Sequence, residues 1–257
     1  ARLDLPGIQK ELIQEISETG KPIVLVVMAG RALSIGDVYE NADAVLYAWH
    51  PGTMGGTALA NILFGKVSPS GKLPITMPKS VGQIPMHYNH KNSGRPVDPN
   101  NWPSIDKIPV KAYQTSLGNT SHYMDEGFEP LYPFGFGLSY TDFEYSDLRI
   151  ETPVIARTEE LNVSVLLSNK GECTAEEVVQ VYIRDLVGDV TRPVRELKAF
   201  DRVKLKAGEA KRVSFTIPAS ELSFHNQQMT NVVEPGKFML WIGGNSNADL
   251  GAEFAVK

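Results

Sequence analysis

From Ile8 to Ile16 the apolar residues Ile8, Leu12, Ile13 and Ile16 recur at helical spacing, with Pro6-Gly7 before them and Gly20 after, which predicts a short amphipathic helix. Ile23 to Met28 is a continuous, largely β-branched run opened by Lys21-Pro22 and closed near Gly30, the pattern of a strand buried on both faces of a parallel sheet. A second unit repeats the order. Ala44 to Trp49 reads as a buried strand, and Gly55-Gly56 leads into a helical segment from Ala58 to Phe64 that stops at Gly65. Val67 to Pro74 then reads as a turn into a short strand, Ile75-Thr76-Met77, halted by Pro78. These strands are too few for a self-sufficient open sheet.

Between Val81 and Leu131 the periodicity vanishes. A loop of that length in a compact domain is usually functional or interface-forming. After Tyr140 the chain alternates with period two, at Leu161–Val165, Val179–Ile183, Val203–Leu205, Val213–Ile217 and Phe238–Ile242. Turns at Asn169-Lys170-Gly171, Lys206 to Glu209 and Glu234 to Lys237 are expected to reverse the chain through glycines at positive φ. About a hundred residues and roughly seven strands fit an immunoglobulin-like sandwich. The fold class expected is therefore α/β plus all-β, an incomplete α/β sandwich domain followed by an immunoglobulin or fibronectin type III-like β-sandwich.

Composition agrees with a folded chain: of 257 residues, 42% are hydrophobic and 21% charged. The net charge of −5, with the basic residues scattered, argues against nucleic acid or an anionic membrane as partner. No apolar stretch reaches the ~20 residues that span a bilayer. Cys173 is the single cysteine and is read as structural. The chain starts with Ala1, not Met, and is read as cut at that end.

Gly52-Thr53-Met54-Gly55-Gly56 lacks both the Lys-Ser/Thr ending of a phosphate loop and the GxGxxG spacing, so a tight strand-to-helix turn is favoured. The five histidines, His50, His87, His90, His122 and His225, make no dense ligand set, whereas zinc needs three or four ligands. No GxSxG elbow surrounds Ser139. Glycoside hydrolysis commonly needs two carboxylates, and Asp125-Glu126 with Glu129 are the clustered acids of the long loop. Adjacent acids in a polar loop are usually solvated, and the pairs Glu159-Glu160 and Glu176-Glu177 are read as surface charges. The aromatics from Tyr132 to Tyr140 could stack on sugars, but packing is the preferred reading.

Four motifs carry a family resemblance: Leu3 to Gln9, Trp49-His50-Pro51-Gly52-Thr53-Met54-Gly55-Gly56, Phe64 to Pro74, and Tyr132 to Tyr140. In order and spacing they resemble glycoside hydrolase family 3. Arg192 to Phe200 and Glu234 to Phe238 look like that family's fibronectin type III-like domain, and Val81 to Pro85 with Asn92 to Pro96 look like its periplasmic β-glucosidase type. The resemblance implies two domains: 1–140, the C-terminal portion of the α/β sandwich domain with a long loop at 81–131, and 141–257, the fibronectin type III-like domain. Met54 departs from the pattern, standing where many relatives have Glu or Gln.

The resemblance further implies a retaining exo-β-glycosidase of β-glucosidase type, hydrolysing terminal β-linked sugars through a covalent glycosyl-enzyme intermediate, with no cofactor or metal. Its nucleophilic Asp belongs on an N-terminal barrel, and its acid/base Glu belongs on a loop upstream of Leu3. Neither position falls in this chain. A retaining pair must approach to about 5–5.5 Å, so the chain alone is expected to be inactive, and no catalytic, cofactor-binding or metal-ligating residue is assigned in it. Whether Asp125 or Glu126 reaches the complete active site stays open. The implied partners are a β-linked oligosaccharide or glycoside and the barrel, with self-association expected through exposed apolar surface. A periplasmic or secreted location is implied. The alternative is a non-catalytic carbohydrate-binding or scaffolding protein made of the same modules.

Overall fold

The structure, a computed structural model, describes residues 2–113 and 120–257. Ala1 and the part of the long loop at 114–119 lie outside the described residues. The chain divides into two compact units, one of residues 1–64, 75–86 and 93–132, the other of 65–74, 87–92 and 133–257.

The first unit is α/β, as its periodicity predicts. Its elements are α1 (Gln9–Ser17), β1 (Val24–Val27), α2 (Gly36–Tyr39), β2 (Ala44–Tyr47) and α3 (Gly55–Leu63). Strands β1 and β2 pair in parallel, with Val24 opposite Ala44 and Val27 opposite Tyr47. Parallel strands need a crossover, and the segment carrying α2 supplies it. The core is small: Val27, Leu33, Ile35 and Val38 are buried, and Leu5, Ile13, Tyr39 and Tyr47 pack against them.

Two expectations are corrected here. Strand β1 is not buried on both faces, since Val24 is 52% exposed; a two-stranded sheet has an open edge on each strand and too little cover for both faces. The expected strand at 75–77 is a single bridge between Met77 and Tyr132, because Pro74 and Pro78 flank it and supply no N–H to a ladder. Among its described residues the long loop contains two 3₁₀ turns, Val81–Gln83 and Ile105–Lys107.

The second unit is a β-sandwich. Its strands are β3 (Phe143–Ile150), β4 (Val154–Ile155), β5 (Glu160–Asn169), β6 (Ala175–Asp185), β7 (Glu196–Leu205), β8 (Ala210–Pro218), β9 (Phe224–His225), β10 (Asn231–Val232), β11 (Gly236–Gly243) and β12 (Gly251–Val256). One sheet runs β3-β5-β8 and the other β4-β12-β11-β6-β7, while β9 and β10 make a small ribbon. Pairing is antiparallel except for β4 on β12. Leu161, Val163, Val165 and Leu167 on β5 alternate inward to meet Val179, Val181 and Ile183 on β6 and Leu240 and Ile242 on β11. Of the three expected turn glycines only Gly208 has positive φ, at 70°; a Cβ on Gly171 would instead lie 2.2 Å from Thr141 Oγ1, so close approach is what requires glycine there.

Segments 65–74, 87–92 and 133–140, although outside the alternating region, fold with this sandwich. Gln180, 3% exposed, donates from Nε2 to the carbonyls of Gly135 (3.2 Å) and Gly244 (2.6 Å) and accepts from the Tyr182 hydroxyl at 2.6 Å. Tyr88 stacks on Phe134 with centroids 4.3 Å apart. Lys72 Nζ lies 3.0 Å from Glu177 Oε1 and donates to the Gly137 carbonyl at 3.0 Å. Glu177 is thus a buried ion-pair partner, correcting its reading as a surface charge. Glu176 matches the expectation, facing Arg202 across β6 and β7 at 3.7 Å.

Candidate functional site

In open α/β sheets ligands gather beyond the carboxyl ends of the parallel strands. In the first unit those ends lead into residues 28–35 after β1 and 48–55 after β2. Trp49 takes a left-handed φ of 50° and its ring lies 4.6 Å from that of Tyr47, whose hydroxyl donates to the Arg31 carbonyl. His50 fills the space over Gly30, where a Cβ would come within 2.5 Å of Nε2. Gly52 at φ 69° then closes a turn, with Gly55 N–H donating to the Gly52 carbonyl at 3.1 Å. The Trp-His-Pro-Gly stretch is therefore a packed strand-to-helix turn. Met54, 68% exposed, presents a thioether where a polar side chain would offer hydrogen bonds.

A cleft of ≈ 520 Å³ opens in the same unit, lined by Leu3, Asp4, Ser34, Gly36, Asp37, Glu40, Lys79, Ser80, Val81, Glu126 and Leu131. Four separate stretches of chain meet there. The Leu3 carbonyl accepts from Ser34 N–H at 2.9 Å, which ties the first stretch to the second. Gln83, 3% exposed, joins the other two: its Oε1 accepts from Lys79 N–H at 2.7 Å and its Nε2 donates to the Glu129 carbonyl at 3.2 Å. Lys79 Nζ also reaches the Glu126 carbonyl at 3.4 Å.

The acids of this cleft differ in their company. Arg2 pairs with Asp4 at 2.7 Å, and its hydrogen bond holds the Asp4 carboxyl below the usual range. Lys10 pairs with Asp37, which raises the Lys10 pKa. Glu40 and Glu126 have no ion-pair partner among the described residues. Of the loop acids, Asp125 does not line the cleft; its Oδ1 accepts from Glu126 N–H at 2.9 Å and fixes the turn. Glu126 lines it and Glu129 contributes only its carbonyl.

The histidines serve packing where the structure describes their contacts. His122 lies 3.0 Å from the Pro103 carbonyl through Nε2 and 3.1 Å from the Thr120 hydroxyl through Nδ1, so both ring nitrogens are engaged, and Trp102 meets its ring edge-on at 5.6 Å. Among the described residues no three His, Cys, Asp or Glu side chains converge as metal ligands.

Residues 1–140 match the glycosyl hydrolase family 3 C-terminal domain, and residues 177–246 match a fibronectin type III-like domain. The chain belongs to glycosyl hydrolase family 3. It is 45% identical over 244 residues to the periplasmic beta-glucosidase of Salmonella typhimurium, covering 95% of this chain and 30% of that protein. It is 40% identical over 253 residues to a beta-xylosidase of Formosa agariphila, covering 97% and 32%. Among solved structures, the beta-glucosidase from Listeria innocua in complex with isofagomine superposes with a TM-score of 0.87 at 38% identity, covering 99% of this chain and 34% of that one. The chain thus spans about a third of the length of these family 3 relatives.

Within the family 3 match, the residues that shape the cleft were invisible as a set in the sequence. Ser34, Glu40 and Lys79 belong to no local motif, and only the folding of four distant stretches brings them together with Gln83. The Gly-Gln-Ile-Pro part of the loop motif was the one signal near Gln83.

Proposed function

We propose that this chain is the C-terminal portion of a retaining exo-β-glycosidase of β-glucosidase type, acting on terminal non-reducing β-linked sugars. The observation carrying this reading is the 45% identity, along 95% of the chain, to a protein described as a periplasmic beta-glucosidase, together with the family 3 match over residues 1–140. The relative described as a beta-xylosidase marks the nearest alternative sugar. In this reading the catalytic carboxylates are supplied by sequence outside this chain, the nucleophilic Asp by a barrel domain and the acid/base Glu by a sandwich-domain loop upstream of Leu3, and the assembled protein works in the periplasm or outside the cell. Asp125 fits a structural role, since its carboxylate already caps the Glu126 N–H. No helix among the described residues is long and apolar enough to cross a membrane.

The test is hydrolysis of chromogenic aryl β-glucoside and β-xyloside by the purified chain, beside its Asp125→Asn and Glu126→Gln variants. No turnover by any of the three, with turnover by the chain joined to a family 3 barrel and the sandwich-domain sequence upstream of Leu3, is the expected result. Turnover by the chain alone that either substitution abolishes would place the chemistry in the long loop and overturn the reading.

A further inference from the structure

We propose that residues 186–191, between β6 and β7, form a lid over Asp185 and Arg192 whose closure is set by the charge state of the Asp185 carboxyl: shut when it is neutral, lifted when it is ionised. The inference concerns one end of the sandwich and stands apart from the assignment of hydrolysis.

Asp185 ends β6 and Arg192 lies where the chain turns back toward β7; their side chains are 5% and 12% exposed. Their charges are opposite, yet Arg192 Nε is 3.8 Å from Asp185 Oδ2, and neither atom has a hydrogen-bond partner among the described residues. Buried charged groups are ordinarily hydrogen-bonded as well as paired. The lid backbone is what covers this pair, since a Cβ on Gly188 would come within 2.9 Å of Arg192 Cγ and 3.2 Å of Asp185 Oδ2. Arg192 does not depend on Asp185 alone. It donates to Glu196 Oε2 at 2.9 Å and lies 4.2 Å from the centre of the Phe224 ring.

The closed lid is fastened by modest bonds. Leu186 N–H donates to the Lys237 carbonyl at 3.1 Å, Asp189 N–H donates to Glu234 Oε2 at 2.9 Å, and Asp189 Oδ2 accepts from Gln227 N–H at 2.9 Å. Each is worth little net, so drying an ionised carboxylate beneath the lid competes with them on their own scale. Burial raises the Asp185 carboxyl above its ordinary range and Glu234 and Glu196 add to that, while the Val187 N–H and Arg192 oppose it. Of the other charged or titratable groups around it, Arg184 precedes it on β6, Asp189 is on the lid, and Lys198 faces Glu196 on β7 at 3.6 Å. Lys237 adjoins Phe238, which stands opposite Asp185 on β11, and His225 adjoins Phe224 on β9. His90 and Lys91 meet Val194 and Pro193 beyond Arg192. A carboxyl raised in the closed state favours closure fully below the ordinary value, about 3.9, and that contribution is lost as pH rises through the raised one.

The experiment follows the Asp185 carboxyl carbon of the full chain by NMR against pH, with hydrogen exchange at Leu186 corrected for its own pH dependence. An Asp185 midpoint above about 3.9 is the expected result. Asp185→Asn, which is neutral throughout, should slow exchange at Leu186 near neutral pH by about three- to tenfold, and because it alters Asp185 alone it separates this effect from titration of Asp189 or Glu234. Gly188→Ala should hasten that exchange and return the Asp185 midpoint to the ordinary range, because its methyl group cannot fit against Arg192 with the lid shut. Unchanged exchange on β5 in both variants shows that the sandwich is folded. An Asp185 midpoint at or below about 3.9, or exchange at Leu186 that Asp185→Asn hastens or leaves unaltered, would overturn the proposal, because Asp185 would then serve as the ionised partner of Arg192 or have no hold on the lid.

Discussion

The two units spend their apolar residues very differently. The sandwich buries a cluster that runs from Ile155 to Val256 and draws on both sheets, whereas the α/β unit's core cluster, among the described residues, holds four buried side chains, Val27, Leu33, Ile35 and Val38. Apolar side chains that would enlarge the second core point outward instead: Ile8 is 78% exposed, Leu12 57%, Met28 65% and Phe64 83%. Local pattern made an element in each case, but only the sandwich gives its elements enough partners to bury them. Stability by this account resides in the sandwich, and the candidate site sits on the softer unit, as binding loops commonly do.

The sharpest way to break that comparison is the Lys72–Glu177 pair, with side chains 13% and 6% exposed. Lys72→Met leaves a buried carboxylate with the Tyr145 hydroxyl, 2.8 Å away, as its remaining side-chain donor among the described residues. Removing one partner of such a pair costs about 3–5 kcal/mol, whereas replacing both by apolar residues is often close to neutral. Urea unfolding followed by tryptophan fluorescence and by hydrogen exchange should show that loss on β5, β6 and β11 and a large recovery in the Lys72→Met, Glu177→Met double variant. A loss under about 1 kcal/mol would put the pair in the class of surface bridges and remove it as an anchor.

That lysine also shows what could be read in the sequence and what could not. Both strands of the α/β unit, helices α1 and α3 and five long sandwich strands were visible because each carries an apolar run or a regular period over at least part of its length. Strand β3 was not, because Asp147 sits at φ 49° in a register shift between Ser146 and Arg149 that breaks the alternation. Strand β12 is short and carries Gly251, Ala252 and Ala255, which give little apolar contrast. Ser-Pro-Ser-Gly-Lys-Leu-Pro read correctly as irregular chain, yet nothing local announces that its lysine lies against an acid more than a hundred positions away. The same holds for the cleft. Gln83 and Ser34 matter through burial, which is a property of the fold and not of their neighbours in sequence.

Buried tyrosines give an intermediate test. Burial pushes the Tyr145 and Tyr182 phenols up, the Glu177 carboxylate adding to it at Tyr145, and burial likewise raises Tyr39 and Tyr47 in the α/β unit. For a raised pKa the contribution to stability is fully present below the unfolded value, about 10, and falls as pH rises above it. Each phenol kept protonated then costs up to about 1.4 kcal/mol per pH unit. Spectroscopic titration should therefore show Tyr145 and Tyr182 ionising only together with loss of the sandwich, while the less buried Tyr47 ionises before either of them. Tyr145→Phe and Tyr182→Phe should shallow the alkaline decline of the sandwich and leave that of the α/β unit in place. Phenolate signal from Tyr182 in a folded sandwich would show that its face is open to water.

The smallest effect on stability should come from α1, and it separates exposure from folding. Ile13 packs on the core, but Ile8, Leu12 and Ile16 at 78%, 57% and 44% exposure do not, so Leu12→Gln with Ile16→Ser should change the unfolding free energy by no more than roughly 0.5 kcal/mol per site. Their effect should appear in association instead. An apolar stripe left open on a helix favours contact with another surface, and sedimentation of the isolated chain at rising concentration should show self-association that the double substitution weakens. In the chain joined to a family 3 barrel the same substitutions should matter less for self-association if the barrel covers the stripe. Strictly monomeric behaviour of the isolated chain at high concentration would mean that the open apolar positions are scattered too widely to act together, and the contrast between the units would then be one of core size alone.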